Sequence, residues 1–136
     1  LFERDSSYKT PIPDADPNHA FGALLVRVAK SDHNYQVAEL QKIDKVLAAH
    51  LNVNAIEAAK FRAECEHLER AMPDTASLGA ILATSISASD REAMFVALWD
   101  VLMADGVRHA DEVAVLAQVR SIFTITRERA VEITGG

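Results

Sequence analysis

An apolar stripe at helical spacing that runs into a carboxylate, turns, and resumes behind a second carboxylate constrains this chain more than any other feature, because it occurs twice. In "AFGALLVRVAKSD" Phe21, Leu25 and Val28 share one helix face, and Asp32 takes the next place on that face, four residues after Val28. Met94, Leu98 and Val101 lead to Asp105 in the same way, 73 residues later. Beyond each turn Glu39 precedes Ile43 and Val46 by four and seven, as Glu112 precedes Leu116 and Val119. With one residue dropped, "LNVNAIEA" lies over "FTITRERA", so that Leu51, Val53 and Asn54 meet Phe123, Ile125 and Thr126. The pattern predicts an all-α chain built from a duplicated three-helix unit, the two copies packing about an approximate two-fold axis.

Local signals divide the rest. Twenty-three alanines against five glycines and four prolines favour helix, since alanine has the best intrinsic propensity and breakers are few. Residues 1–15, with Pro11 and Pro13 and no periodicity, are expected to be a flexible arm, and residues 16–136 a single domain. Asp16 and Pro17 suit the cap and first position of helix one, whose stripe is Phe21, Leu24, Leu25 and Val28. A second helix after "HNYQ" carries Leu40, Ile43, Val46 and Leu47. Asn54 and Glu57 form a capping box for a third, to about Arg70. A fourth follows Asp74, with Leu78, Ile81 and Leu82 inward. Ser89 and Glu92 read as a second capping box, opening a fifth helix with Met94, Leu98, Val101 and Leu102 inward and Phe95 and Trp99 beside them. A sixth over about 110–122 buries Val115, Leu116 and Val119, and Thr126 caps a seventh to about Thr134. The expectation is about seven helices in one compact bundle.

Charge and composition remove several function classes. A net charge of -6 argues against nucleic acid as a partner, because phosphate-backbone affinity comes from clustered lysine and arginine. The most apolar windows, "AFGALLVRVA" and "FVALWDVLMA", contain Arg27 and Asp100 and fall short of the roughly 20 residues of a spanning helix, so no membrane insertion by this segment is expected. A lone Cys65 without zinc-ligand spacing reads as a small half-buried thiol and fits a reducing compartment. The charged run "KFRAECEHLER" reads as a solvated face, with Lys60 and Glu64 four apart. The chain starts at Leu1 rather than methionine, so an upstream segment is compatible with it.

The four acids lie on faces that pack, and Asp32 and Asp105 also lie near helix C-termini, where the macrodipole disfavours a negative charge by about 0.3–1 kcal/mol. Burial without compensation would cost several more or raise the pKa until the group is neutral. Two arrangements compensate. In one, each Asp accepts hydrogen bonds from the free amides opening the next helix and each Glu benefits from that helix's N-terminal dipole, so the acids only pin a corner. In the other, the corners meet and Asp32, Glu39, Asp105 and Glu112 surround a divalent cation. Oxygen ligands suit calcium or magnesium; His33 and His109, one in each turn, would add nitrogen and favour zinc or manganese. An EF-hand is excluded by spacing, since its glutamate follows the first aspartate by about eleven residues and a glycine takes the sixth position.

The stretches "ALLVRVAKSDHNYQVAELQKIDKVL" and "DREAMFVALWDVLMADGVRHADEVAVLAQV" resemble the TerB-like family associated with tellurite resistance, which also supplies the amino-terminal region of some J-domain co-chaperones. The similarity covers roughly residues 18–133, and "ALWDVLMADGVRHADE" is its most specific part. The resemblance implies an all-helical domain with metal-binding acids at Asp32, Glu39, Asp105 and Glu112. His33 departs from the family pattern, standing where a glycine often follows the first aspartate. A non-enzymatic, bacterial-type cytoplasmic domain of the tellurite-resistance and stress-response class follows from it, acting as a metal-binding or protein-interaction module. The competing reading is a helical scaffold, alone or as a homodimer, whose acids are structural and whose work lies in binding protein partners. An acid-base hydrolase is the third; no catalytic residue is assigned, because the chain carries no glycine-rich phosphate loop or serine-elbow motif and Ser85, Ser87 and Ser89 are best explained by capping.

Overall fold

The computed structural model describes residues 13–31, 37–104 and 110–135, apart from the side chain of Glu112. Among the described residues the chain forms seven helices and no strand: α1 (Pro17–Lys30), α2 (Val37–Leu51), α3 (Ala55–Ala71), α4 (Thr75–Ser85), α5 (Ala88–Leu102), α6 (Ala110–Ile122) and α7 (Arg127–Thr134). The all-α expectation and the helix order hold. The expected arm falls largely in residues 1–12, outside the described residues.

Helix starts are chemically marked. The Asp16 carboxylate accepts the His19 amide at 2.8 Å, and Pro17 fills the first position, where a missing N–H costs nothing. The Asn54 side chain accepts the Glu57 amide while the Glu57 carboxylate accepts the Asn54 amide, completing the expected capping box. Asp74 and Thr126 cap α4 and α7. The fifth start differs from expectation: Ser87, not Ser89, accepts the Asp90 amide, and α5 opens at Ala88. The motif reading fails because two serines stand two residues apart at this boundary, and the extended backbone falls at Ser87, leaving Ser89 inside the helix. Glu92 is thereby left to pair with Arg129 of α7, at 2.9 and 2.8 Å.

α1 is the axis of the bundle, packed against α2, α3, α4, α5 and α6. One apolar stripe was expected on it, yet every residue from Ala20 to Ala29 is buried. Alanine and glycine on its remaining faces explain this, since small side chains let neighbouring helices close in all round. A Cβ placed on Gly22 would stand 2.1 Å from Cys65 Sγ of α3, so the α1–α3 contact requires glycine there. Gly79 of α4 meets Ile122 of α6 in the same manner, at 2.9 Å. Cys65 is thus fully buried rather than half-buried.

Arg27 is the one charged residue within that buried run, 8% exposed. Its Nε donates to Glu69 Oε2 at 3.1 Å, one terminal nitrogen donates to the carbonyls of Glu69 and Met72, and the other reaches Thr75 Oγ1 at 3.3 Å. Lys30 Nζ holds the second Glu69 oxygen at 2.7 Å. A guanidinium has five donors in a planar fork, which is why one side chain can satisfy the end of α3, the turn at Pro73 and the start of α4 together. Arg62 of α3 similarly bridges Asp44 of α2 at 2.6 Å and Glu66 at 2.9 Å. The run "KFRAECEHLER" thus divides: Lys60, Glu64 and Arg70 are exposed, as a solvated face requires, whereas Arg62, Glu66 and Glu69 are partly buried in ion pairs. Cys65 and Leu68, set among charged residues, mark the inward side that a reading of charge alone passes over.

The ends of α2 and α6 have one geometry. Asn52 and Thr124 both take left-handed backbone, φ 58° and 57°. Behind them the Val53 amide donates to the Ala48 carbonyl and the Ile125 amide to the Arg120 carbonyl, each at 3.1 Å, the six-residue closure of a Schellman motif. Asn54 and Thr126 then cap the following helices. The two corners share a left-handed residue, a closing bond and a capping side chain in the same order, while the reciprocal box is described at Asn54–Glu57 alone. Beyond the corners the halves differ, since α3 has 17 residues and packs on α1 and α2, whereas α7 has 8 and packs on α5.

Candidate functional site

Of the six residues singled out as metal ligands, Glu39 is the one whose side chain lies among the described residues. Asp32, His33, Asp105 and His109 lie outside them, as does the side chain of Glu112, whose backbone is in the first turn of α6. Glu39 stands in the first turn of α2 and is fully buried, 0% exposed, among the largest enclosed side chains of the molecule. Its place in the stripe shared with Ile43 and Leu47, both fully buried, carries it inward. The N-terminal end of α2 offers partial positive charge to such a carboxylate, worth up to about 2 kcal/mol in a partly buried setting.

What surrounds the start of α2 is the end of α5. Ala38, Gln41, Lys42 and Lys45 from α2 face Asp100, Met103 and Ala104 from the end of α5, across a groove of about 550 Å³. Ala38 immediately precedes Glu39, and Ala104 immediately precedes Asp105. The fold therefore brings the inner leg of the first acidic corner beside the approach to the second, though 66 residues of sequence separate Ala38 from Ala104. Lys42 and Lys45 add positive charge to the outer wall and Asp100 negative charge opposite. Among the described residues, no group of three or more His, Cys, Asp and Glu could hold a metal ion.

A second cluster of ionisable groups, which the sequence reading did not single out, lies at the start of α1. His19 is 2.9 Å through Nδ1 from Asp16 Oδ2 and 2.7 Å through Nε2 from Glu64 Oε1. The Phe61 ring lies against its face, with centroids 4.3 Å apart. Burial works against the charged imidazole, but the hydrogen bonds and charges of Glu64 and Asp16 raise its pKa above the ordinary 6.5. Burial also works against the Asp16 carboxylate, yet the His19 amide and ring hold it below its usual value. The sequence signal was the interval of three from cap residue to histidine; Glu64 is 45 residues away and only the α1–α3 packing reveals it. Nearby, burial pushes the Cys65 thiol far above its usual range, with the charges of Glu64, Asp16 and Glu66 adding to it, so this sulfur is an inert packing group and not a nucleophile.

No helix among the described residues is long and apolar enough to cross a membrane. The family model described as Tellurite resistance protein TerB matches residues 18–134. Comparison with curated proteins and with solved structures finds no match.

Proposed function

The chain belongs to the family of the tellurite resistance protein TerB, and on that premise we propose that it is a non-enzymatic module that holds a divalent cation between its two acidic corners. The observation that carries this reading is the fully buried carboxylate of Glu39 on an α2 start that shares a groove with the end of α5. An enclosed carboxylate that the fold sets beside the end of α5 is an oxygen donor of the kind a divalent cation takes, and a cation between Asp32, Glu39, Asp105 and Glu112 would draw ligands from both halves of the chain. The four oxygen donors suit calcium or magnesium; participation of His33 and His109 would move the preference to zinc or manganese. The cation would supply a cross-link between the corners, so that binding stabilises the bundle by about 2.7 kcal/mol at a hundredfold excess over Kd.

Titration calorimetry and thermal shift with calcium, magnesium, manganese and zinc test the proposal. Binding and a raised Tm in the wild type, both lost in Asp32→Ala/Asp105→Ala and weakened in Glu39→Gln, support it. No binding of any of the four, or equal binding by the double variant, removes it.

The second reading, a helical scaffold with structural acids that acts through protein partners, draws on Lys42 and Lys45, which line the same groove and oppose a nearby dication. On that reading the titrations are flat and Glu39→Gln changes stability without changing any response to metal.

A further inference from the structure

Both ring nitrogens of His19 face carboxylate oxygens at hydrogen-bond distance. A neutral imidazole carries one N–H and one lone pair, so it can donate to Asp16 or to Glu64 but would turn its lone pair on the other. The imidazolium, with two N–H groups, is the form that satisfies both. Its side chain is 14% exposed beneath Phe61, so water replaces a lost partner poorly. Asp16 is at the same time the cap of α1, with its other oxygen on the His19 amide and its carbonyl accepting the Ala20 amide at 2.8 Å. The ring, the cap and α3 are therefore one unit.

We infer that His19 is a pH-sensitive latch: as imidazolium it ties the first turn of α1 to α3, and on losing its proton it releases that turn. Asp16 and Glu64 are the charged groups in contact with it. From α3, Cys65 beside Glu64 stays a neutral thiol. From α2, His50 bonds through Nε2 to Asn18 Oδ1 at 3.2 Å and rests on Phe21, ring centroids 5.0 Å apart, so it touches the same turn. From α5, Asp90 lines with Pro17, Asn18 and Phe21 a groove of about 580 Å³ that runs along this turn. Release of the turn moves one wall of that groove, making its shape a function of pH.

The direction follows from linkage. The folded-state value lies above the ordinary 6.5, so the latch contributes fully below the unfolded value and is lost as pH rises through the folded one. The window lies above 6.5, and the latch opens on the alkaline side, the opposite of an acid-triggered histidine switch.

NMR on the whole chain tests this, following the ring nitrogens of His19 and the protection of the His19 and Ala20 amides between about pH 6 and pH 9. The expected result is a His19 titration above 6.5, with both amides losing protection as it proceeds, by about tenfold for each unit of upward shift. Glu64 is half-exposed, so Glu64→Gln keeps the fold; it lowers the His19 titration point and flattens the protection change. Asp16→Asn, which preserves a good cap, does likewise. A His19 titration at or below 6.5, amide protection that ignores it, or an unchanged titration in Glu64→Gln would each overturn the inference.

Discussion

Replacing Gly22 by alanine adds one methyl group to the close contact between α1 and α3. The new Cβ would lie 2.1 Å from Cys65 Sγ and 3.0 Å from Cys65 Cβ, with Leu47 at 3.7 Å. A relaxed contact needs about 3.5–4 Å, so α1 and α3 must separate by more than an ångström or the thiol must leave its rotamer. Overpacking of this kind costs about 1–3 kcal/mol, and more where the backbone must move. Alanine returns about 0.8–1 kcal/mol through helix propensity, leaving a net loss of about 2 kcal/mol. For a domain of this length that is a fall in Tm of roughly 6–10 °C. Cys65→Ala alone should cost about 1 kcal/mol for a small vacated space. The double variant is the decisive measurement: removing Sγ removes the 2.1 Å clash and leaves the 3.0 Å approach, which a shift of a few tenths of an ångström relieves. Urea unfolding of the four proteins should therefore give a double variant more stable than the sum of singles by at least 1 kcal/mol, well outside the roughly 0.3–0.5 kcal/mol of independent sites. Additivity within that margin would refute the claim that Gly22 exists to admit Cys65.

Two further outcomes are expected. Arg27→Met should destabilise by about 3 kcal/mol in chemical denaturation, because it strands the carbonyls of Glu69 and Met72 while Lys30 still holds part of the Glu69 charge; Arg27→Lys should fall between, since one ammonium cannot span Glu69, Met72 and Thr75. At the paired corners, Thr124→Asn should stabilise by about 0.5–1 kcal/mol and Asn52→Thr should destabilise by a similar amount in thermal unfolding, because left-handed backbone penalises a β-branched residue and tolerates asparagine.

What could be read from residue order was what short-range physics decides. The caps at Asp16, Asn54 and Thr126, the box at Glu57, and the apolar phases around Leu25, Ile43, Leu98 and Val119 each depend on residues within a turn or two of each other, and helix type and order follow from them. The register of the α2 and α6 ends was legible for the same reason, since a left-handed residue, a closure and a cap occupy consecutive positions. Of the proposed cation site, the inward direction of Glu39 was legible from phase, and its burial bears that out. The partners that lie far apart in sequence were not. Ser87 displaced Ser89 at the fifth cap because backbone conformation, not hydroxyl chemistry, chose between them. Arg27 looked like an interruption until Glu69 and Thr75, 42 and 48 residues on, came to surround it. The partner of His19, Glu64, comes from α3, 45 residues on, and Cys65 of the same helix fills the space beside Gly22, contacts that leave no local signal. Sequence alone determined which segments are helices and which faces turn inward, because those depend on local periodicity. Which charges meet inside the bundle was decided by tertiary packing, because burial makes a charge depend on partners that chain proximity does not supply.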